Sequence, residues 1–353
     1  MGKWVKKKLG EGLVDRICTG KLDANAMVDG GLYRFYTCAK DYTYIDDYAF
    51  DDEALLISGN GEYVGYVHYY RGKFNAYQRT YVLRGFSIDV KYLQSYLNCF
   101  LRDRIKKEMN AGSIPFIKMG TLTDMYISYP SSLSEQRRIA SILSSADKVI
   151  DSTQKLIAKY KQIKQGMMED LLKPKEGWKK VKLGEVGDFY VGGDVDKNSY
   201  SPYPTIDCKF PIYANALVRE GIYGYSSKYE FDKEAVTITG RGDVGKVFYR
   251  APYFSTIIRL ITLIPNDSEI NVRYLSYAMS RINFIIESTG VPQLTAPQAK
   301  MYEVFIPDFS EQCRIASILS SIDKKIESEE KVLYKYKNIK KGLMEKLLRG
   351  EES

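Results

Sequence analysis

The chain repeats itself, and this constrains every fold open to it. The stretch from Ser134 to Leu172 recurs from Ser310 to Leu348 at a fixed offset of 176, with 26 of 39 positions identical. Both copies open on Ser-Glu-Gln-x-Arg-Ile-Ala-Ser-Ile-Leu-Ser-Ser, and matching pairs run on through Asp147/Asp323, Tyr160/Tyr336, Gly166/Gly342, Met168/Met344 and Leu171-Leu172/Leu347-Leu348. Thinner echoes lie between. Trp4…Leu9-Gly10-Glu11 answers Trp178…Leu183-Gly184-Glu185 at offset 174, and Glu53–Gly61 answers Glu234–Gly242 at offset 181. The drifting offset means that the loops differ in length. The chain therefore divides into a variable half (1–133), a constant arm (134–174), a second variable half (175–309) and a second arm (310–353).

In the first arm apolar residues fall at Ile139, Ile142/Leu143, Ala146, Val149/Ile150, Leu156/Ile157, Tyr160, Ile163, Met167 and Leu171, in steps of three and four. No proline interrupts the run before Pro174 and Gly177, while Ser134 and Glu135 supply a polar start. The second arm repeats the stripe from Ile315 to Leu347, with its weak step at Glu329, where Thr153 stands in the first. A helix of this length spans roughly 58 Å, too long to stand alone. Two near-identical stripes can bury each other, which predicts an antiparallel coiled coil between repeats related by a rough two-fold. The lysines at 155, 159, 161 and 164 read as the solvated face of that helix. Of these, the repeated Lys159 and Lys161 are the better candidates for phosphate contacts.

The variable halves are rich in tyrosine and glycine and carry short β-prone runs, such as Glu62–Val67 and Ala235–Thr239. Each also has a late helix-like stretch, Ile88–Met109 and Asn271–Ile286. The fold class is α+β: two α/β domains separated by two long helices. Gly240-Arg241-Gly242-Asp243-Val244-Gly245-Lys246-Val247 imitates a P-loop, yet Val247 stands where Ser or Thr must reach magnesium, and the run that follows reads as a strand. The first-half equivalent, Gly59–Tyr66, has no lysine. A hairpin turn whose glycines permit positive φ explains both segments.

Enzymatic chemistry finds little purchase. The five cysteines are scattered without a C-x-x-C, and the one histidine, His68, completes no metal set and faces no evident acid or nucleophile. That points to a reducing cytosol. No 18-residue apolar run and no leader-like start are present, so a cytoplasmic protein is expected. Fifty-two Lys and Arg against 44 Asp and Glu give a net charge of +8, which suits a polyanionic partner. Thirty tyrosines favour surfaces that both stack and hydrogen-bond.

With Ser-Glu-Gln-x-Arg-Ile-Ala-Ser opening each arm, Trp…Leu-Gly-Glu opening each half, and Gly290-Val291-Pro292-Gln293-Leu294 ahead of the second arm, the chain resembles the specificity (S) subunit of type I restriction-modification systems. The first-half counterpart of the last segment, Gly112-Ser113-Ile114-Pro115-Phe116, carries one inserted residue and lacks the glutamine. The resemblance implies that each variable half is a target recognition domain reading one part of a split DNA sequence, with the helices as spacer and docking surface. It implies two methyltransferase (M) subunits that bind S-adenosylmethionine and methylate adenine N6, and restriction (R) subunits that use ATP and magnesium in the full complex. This chain would bind no cofactor or metal and would have no catalytic residue.

Two readers on one rod suit half-sites about one helical turn apart, roughly 34 to 36 Å. Unlike halves predict an asymmetric target. The residues expected to touch double-stranded DNA surround the glycine turns, where basic and aromatic side chains interleave: Asn60, Tyr70, Arg71, Lys73 and Arg79 in the first half, and Lys228, Arg241, Lys246, Tyr249 and Arg250 in the second. Glu135, Gln136 and Arg138, with their repeats Glu311, Gln312 and Arg314, stand at arm starts, where they cap the helix, bind the adjoining domain or meet a partner subunit; the structural roles are favoured. The competing expectation is a coiled-coil scaffold whose Tyr-rich domains bind protein or glycan.

Overall fold

A computed structural model describes residues 3–108, 116–285 and 293–349. Two compact units emerge, residues 1–155 with 331–353 and residues 156–330.

The domain of the first unit contains β1 (Trp4–Lys8), β2 (Val14–Thr19), β3 (Tyr33–Tyr36), β4 (Thr43–Ile45), β5 (Phe50–Ser58), β6 (Val67–Ala76), β7 (Thr80–Phe86), α1 (Val90–Glu108), α2 (Met119–Thr123) and β8 (Tyr126–Pro130). Six strands form one sheet in the order β2-β7-β5-β6-β3-β4, antiparallel except where β3 meets β6. The central strand β5 is covered on both faces. Leu55 and Ile57 pack with Tyr92, Leu93, Leu97 and Leu101 of α1, whose apolar residues recur every three or four positions, while Ala54 and Leu56 meet Tyr36, Phe74 and Val82 on the other face. β1 and β8 pair as a separate ribbon.

The second unit repeats this plan with shorter strands. After α3 (Leu133–Leu171) come β9 (Lys179–Lys182), α4 (Leu183–Val186), β10 (Gly187–Val191), β11 (Tyr200–Ser201), β12 (Phe210–Tyr213), β13 (Ile222–Ser226), β14 (Ala235–Ile238), β15 (Val247–Arg250), β16 (Ser255–Thr256), β17 (Ile261–Pro265), α5 (Val272–Met279), α6 (Ala296–Lys300), β18 (Glu303–Ile306) and α7 (Phe309–Arg349). Its strands split into two sheets, β10-β17-β14-β15 and β11-β13-β12-β16, with β9 and β18 as the ribbon.

Equivalent side chains tie each domain to its arm. Asp89 Oδ1 accepts from the Tyr92 N–H at the start of α1 (2.9 Å), as Asn271 Oδ1 does from Tyr274 on α5 (3.0 Å). Gln136 Oε1 accepts from the Asp89 N–H (2.7 Å) and its amide donates to the Pro130 carbonyl (2.8 Å). Gln312 does the same with Asn271 (2.9 Å) and Pro307 (3.0 Å), and its amide donates as well to the Glu269 carbonyl (3.1 Å).

Within each unit the arms meet head to tail. Ile139, Ala140 and Leu143 at the opening of α3 share the first core with Leu343, Met344, Leu347 and Leu348 at the close of α7, and Lys340 pairs with Asp147 at 2.5 Å. In the second unit Met167, Met168, Leu171 and Leu172 from the close of α3 join Ile315, Ala316 and Leu319 from the opening of α7, and Lys164 pairs with Asp323 at 2.6 Å. The helices are thus antiparallel partners in both. Of the α3 lysines, Lys155 and Lys161 are also drawn into ion pairs, with Asp151 and Glu330.

Three local expectations need correction. Glu62–Gly65 is loop rather than strand, because Gly61 and Gly65 adopt positive φ and the Gly65 N–H folds back to the Ser58 carbonyl; pairing resumes at Val67. Helix α5 stops at Met279, not Ile286: the chain turns over Arg281 and Ile282, and Phe284 buries against Tyr302. α1 begins at Val90 rather than Ile88 and runs to Glu108. Met109, Ile286 and the segments 112–115 and 290–292 lie outside the described residues. Among the described residues no helix is long and apolar enough to cross a membrane.

Candidate nucleic-acid interface

Each glycine turn closes a β-hairpin, β5–β6 in the first domain and β14–β15 in the second. Ser58 and Thr239 hold equivalent places: the Gly65 N–H bonds to the Ser58 carbonyl, and the Gly245 N–H to that of Thr239, both at 2.8 Å. Gly65 and Gly245 have φ of +78° and +80°, and a Cβ there would press on Ile105 or Phe284 at 2.7 and 3.0 Å. Glycine is required at both.

A second segment pins each turn. The buried Ile117 donates its N–H to the Gly59 carbonyl (2.8 Å), and the buried Leu294 donates to that of Gly240 (2.9 Å). The preceding residues form matching bridges, Asn60 with Phe116 and Arg241 with Gln293. The apolar residue anchors the strand while its neighbour is left beside the turn. Gln293, singled out in the sequence, thus finds its counterpart in Phe116, half exposed at 52%.

The third element leads into β7 or β17. In the first domain the Gly59 N–H bonds to the Arg79 carbonyl at 3.0 Å. In the second, Asn215 intervenes: its Oδ1 accepts from the Gly240 N–H (2.7 Å) and its Nδ2 donates to the Ile258 carbonyl. Ile258 and Arg259 are both left-handed, with φ of 52° and 57°, a cost that neighbours must offset and that commonly marks functional loops. Ladder register makes Arg259 the counterpart of Arg79, since Tyr81 faces Ile57 as Ile261 faces Ile238. That relation is three-dimensional, and residue-by-residue reading of the sequence missed Arg259.

The structure therefore brings together Asn60 and Arg79 in one domain, and Arg241, Lys246 and Arg259 in the other, all but the partly covered Asn60 exposed. The remaining expected contacts fall elsewhere. Arg71 and Lys73 lie farther along β6, opposite Glu53 and Asp51. Tyr70 packs beside Tyr36 under the Arg34 guanidinium (4.5 Å). Lys228 follows β13, its N–H bonded to Ser226 Oγ. Tyr249 donates to Glu234 beneath Arg273 (3.9 Å), repeating Tyr69, which donates to Glu53 (2.8 Å) beneath Lys91 (3.0 Å). Burial, aided by Glu234, pushes the Tyr249 phenol up to about 12.

Arg250 is a correction. The sequence sets it among the DNA contacts, and the structure leaves it 1% exposed. Its guanidinium stacks on Tyr213 at 3.7 Å and donates to Thr237 Oγ1 (2.9 Å) and the Glu220 carbonyl (2.7 Å). Burial pulls its pKa down to about 10, which leaves it charged, and it braces the left-handed pair Arg219 and Glu220.

At the arm starts Glu135 pairs with Arg138 (2.6 Å) and Glu311 with Arg314 (2.5 Å) and Lys175 (3.3 Å). His68 touches the Ala39 carbonyl at 3.1 Å, and burial lowers its pKa. Among the described residues no cluster suited to a metal ion is present. What the turns offer is donors and acceptors of the kind that read base edges, flanked by cations of the kind that hold phosphates.

The family described as type I restriction modification DNA specificity domain matches residues 1–162 and again 175–335. A putative type I specificity subunit from Mycoplasma pneumoniae is 28% identical over 304 residues, covering 83% of this chain and 82% of its own. The specificity subunit of the EcoDI type I restriction enzyme of Escherichia coli is 41% identical over 163 residues, 45% of this chain and 35% of the longer relative. In architecture, the crystal structure of a type I restriction-modification S subunit from M. genitalium superposes with a TM-score of 0.77 at 20% identity, covering 100% of this chain and 97% of the other.

Proposed function

The chain belongs to the type I restriction-modification DNA specificity family, as the non-catalytic component that recognises DNA, and on that premise we propose that it reads a split, asymmetric target, one part with each domain. The observation that carries this reading is the pair of glycine turns. The carbonyl of the first glycine and the closing glycine N–H are held alike in both domains, yet the side chains presented differ: Asn60 beside Phe116 in one, Arg241 beside Gln293 in the other. A shared scaffold with unlike contact residues supports two readers of unlike sequence. Cations at 79, 246 and 259 supply the phosphate contacts that set register.

The chain carries address, and partners carry chemistry. Two methyltransferase subunits with S-adenosylmethionine would modify adenine N6 on a base turned out of the stack, and restriction subunits with ATP and magnesium would join them, in the cytoplasm. The test is to co-express the chain with its methyltransferase and map methylated adenines across a genome. A gapped motif is expected whose one part changes when residues 1–133 are exchanged for those of another member, while the other part stays. Simultaneous change of both parts defeats the division of labour. Binding should also weaken steeply with salt, with a log–log slope of about −0.9 per phosphate contact.

A further inference from the structure

We infer that Arg241 reads a guanine in the part of the target assigned to the second domain, and that Gln293 is the residue that positions it. This deepens the proposed function and rests on it.

The backbone at Arg241 is fixed from two directions. The Gly240 N–H is taken by Asn215 Oδ1 (2.7 Å), and the Gly240 carbonyl by the N–H of the buried Leu294 (2.9 Å). The far end of the turn is closed by Thr239 Oγ1, which accepts from the Lys246 N–H at 2.8 Å. The side chain is then held in its turn, because Arg241 Nε donates to Gln293 Oε1 at 3.1 Å.

With Nε engaged, the two terminal nitrogens have no partner among the described residues and extend as a planar pair of donors from an exposed loop. Such a pair matches the two acceptors, O6 and N7, on the major-groove edge of guanine. Adenine and cytosine each place a donor, N6 or N4, where one acceptor is needed. A flexible arginine could equally settle on a phosphate. The hydrogen bond to Gln293 sets the direction of the fork before DNA arrives, which is the arrangement base discrimination requires. The first domain has no such clamp: Asn60 and Phe116 stand there, so the guanine assignment belongs to one half-site only.

The full chain co-expressed with its methyltransferase is compared as wild type, Arg241→Ala, Gln293→Ala and Gln293→Glu, reading relative methylation at each position of the motif. Arg241→Ala should lose guanine preference at one position of the second part by about tenfold to a hundredfold, with the rest of the motif kept. Gln293→Ala should loosen that same position less severely. Gln293→Glu, whose carboxylate accepts from Nε, should restore it. The first part of the motif reports folding in every variant, since a collapsed chain would lose it too.

An unchanged motif in Arg241→Ala, or a uniform fall across all sites as from a phosphate contact, overturns the inference while leaving the proposed function standing. Absence of any split motif with the wild type removes both.

Discussion

Each domain keeps a cation against a tyrosine at the same place in its fold, but the arginine comes from a different strand. Tyr36 and Tyr213 are equivalent, each on a strand with a parallel neighbour: Tyr36 of β3 pairs with Ala76 of β6, and Tyr213 of β12 with Thr256 of β16. In the first domain Arg34 reaches from β3 to bond Tyr36 and lie over Tyr42 and Tyr70 (4.2 and 4.5 Å). In the second the cation is Arg250 of β15, at the register position that Tyr70 occupies in β6. A duplicated frame therefore preserves a contact while changing which residue makes it, and the change decides burial: Arg34 is partly solvated and Arg250 is sealed.

That difference predicts the largest effect. Arg250→Ala leaves Thr237 Oγ1 and the Glu220 carbonyl without their donor and opens a cavity against Tyr213, for a loss of about 3 kcal/mol or more confined to the second unit. Arg34→Ala should cost about 1 kcal/mol or less in the first, because water replaces much of what is removed. Amide exchange resolved by unit measures both. Equal losses would show that the two cations do the same work.

Arg250 also shows where sequence reading stops. Its place near a glycine turn, among interleaved basic and aromatic residues, puts it with the expected DNA contacts, and nothing local announces that Tyr213 and Thr237 close over it. The arms were legible because helical period and identity are local signals. The turns were legible because glycine at positive φ leaves a mark in sequence. Asn215, Gln293 and Arg259 converge from segments far apart in the chain, across offsets that drift, so only ladder register reveals Arg259 as the counterpart of Arg79.

The second prediction sharpens the comparison where the halves agree. Gln136→Ala and Gln312→Ala each strand a half-buried N–H at the start of α1 or α5 and a buried proline carbonyl. Each should cost about 1–3 kcal/mol, with Gln312→Ala the more costly because its amide also donates to the Glu269 carbonyl at 3.1 Å, a third bond with no counterpart at Gln136 among the described residues. Denaturant unfolding of the two variants checks this. A larger loss for Gln136→Ala than for Gln312→Ala would mean that the repeated glutamines no longer have repeated roles.

A third lies where the halves diverge by one side chain. Tyr277 of α5 donates to Asp323 at 2.6 Å beneath Lys164, while the corresponding position on α1 is Ser95, and there a cavity of about 380 Å³ opens beside Asp147, lined also by Asn98, Arg137 and Ser144. Ser95→Tyr should fill it and stabilise the first unit by about 1 kcal/mol, with Tyr277→Ser costing about 2 kcal/mol in the second. A drop in melting temperature for Ser95→Tyr would deny the equivalence.

The smallest effect concerns acid. Glu311, bonded by Arg314 and then Lys175, is held down to about 2, whereas Glu135 is lowered by Arg138 without a matching lysine. A carboxylate whose folded pKa lies below its ordinary 4.5 contributes stability that is complete above that value and fades as pH falls toward the folded pKa. The second arm's start should therefore keep its ion pairs through a pH window in which the first is already being protonated. Both groups are only partly covered, so added salt should narrow the gap. Carboxyl titration of the full chain by NMR tests it: Lys175→Ala should raise the Glu311 midpoint toward that of Glu135 and leave Glu135 where it was. If the two carboxylates titrate together in the wild type, Lys175 does not distinguish the arms, and the asymmetry between the halves is confined to the domains.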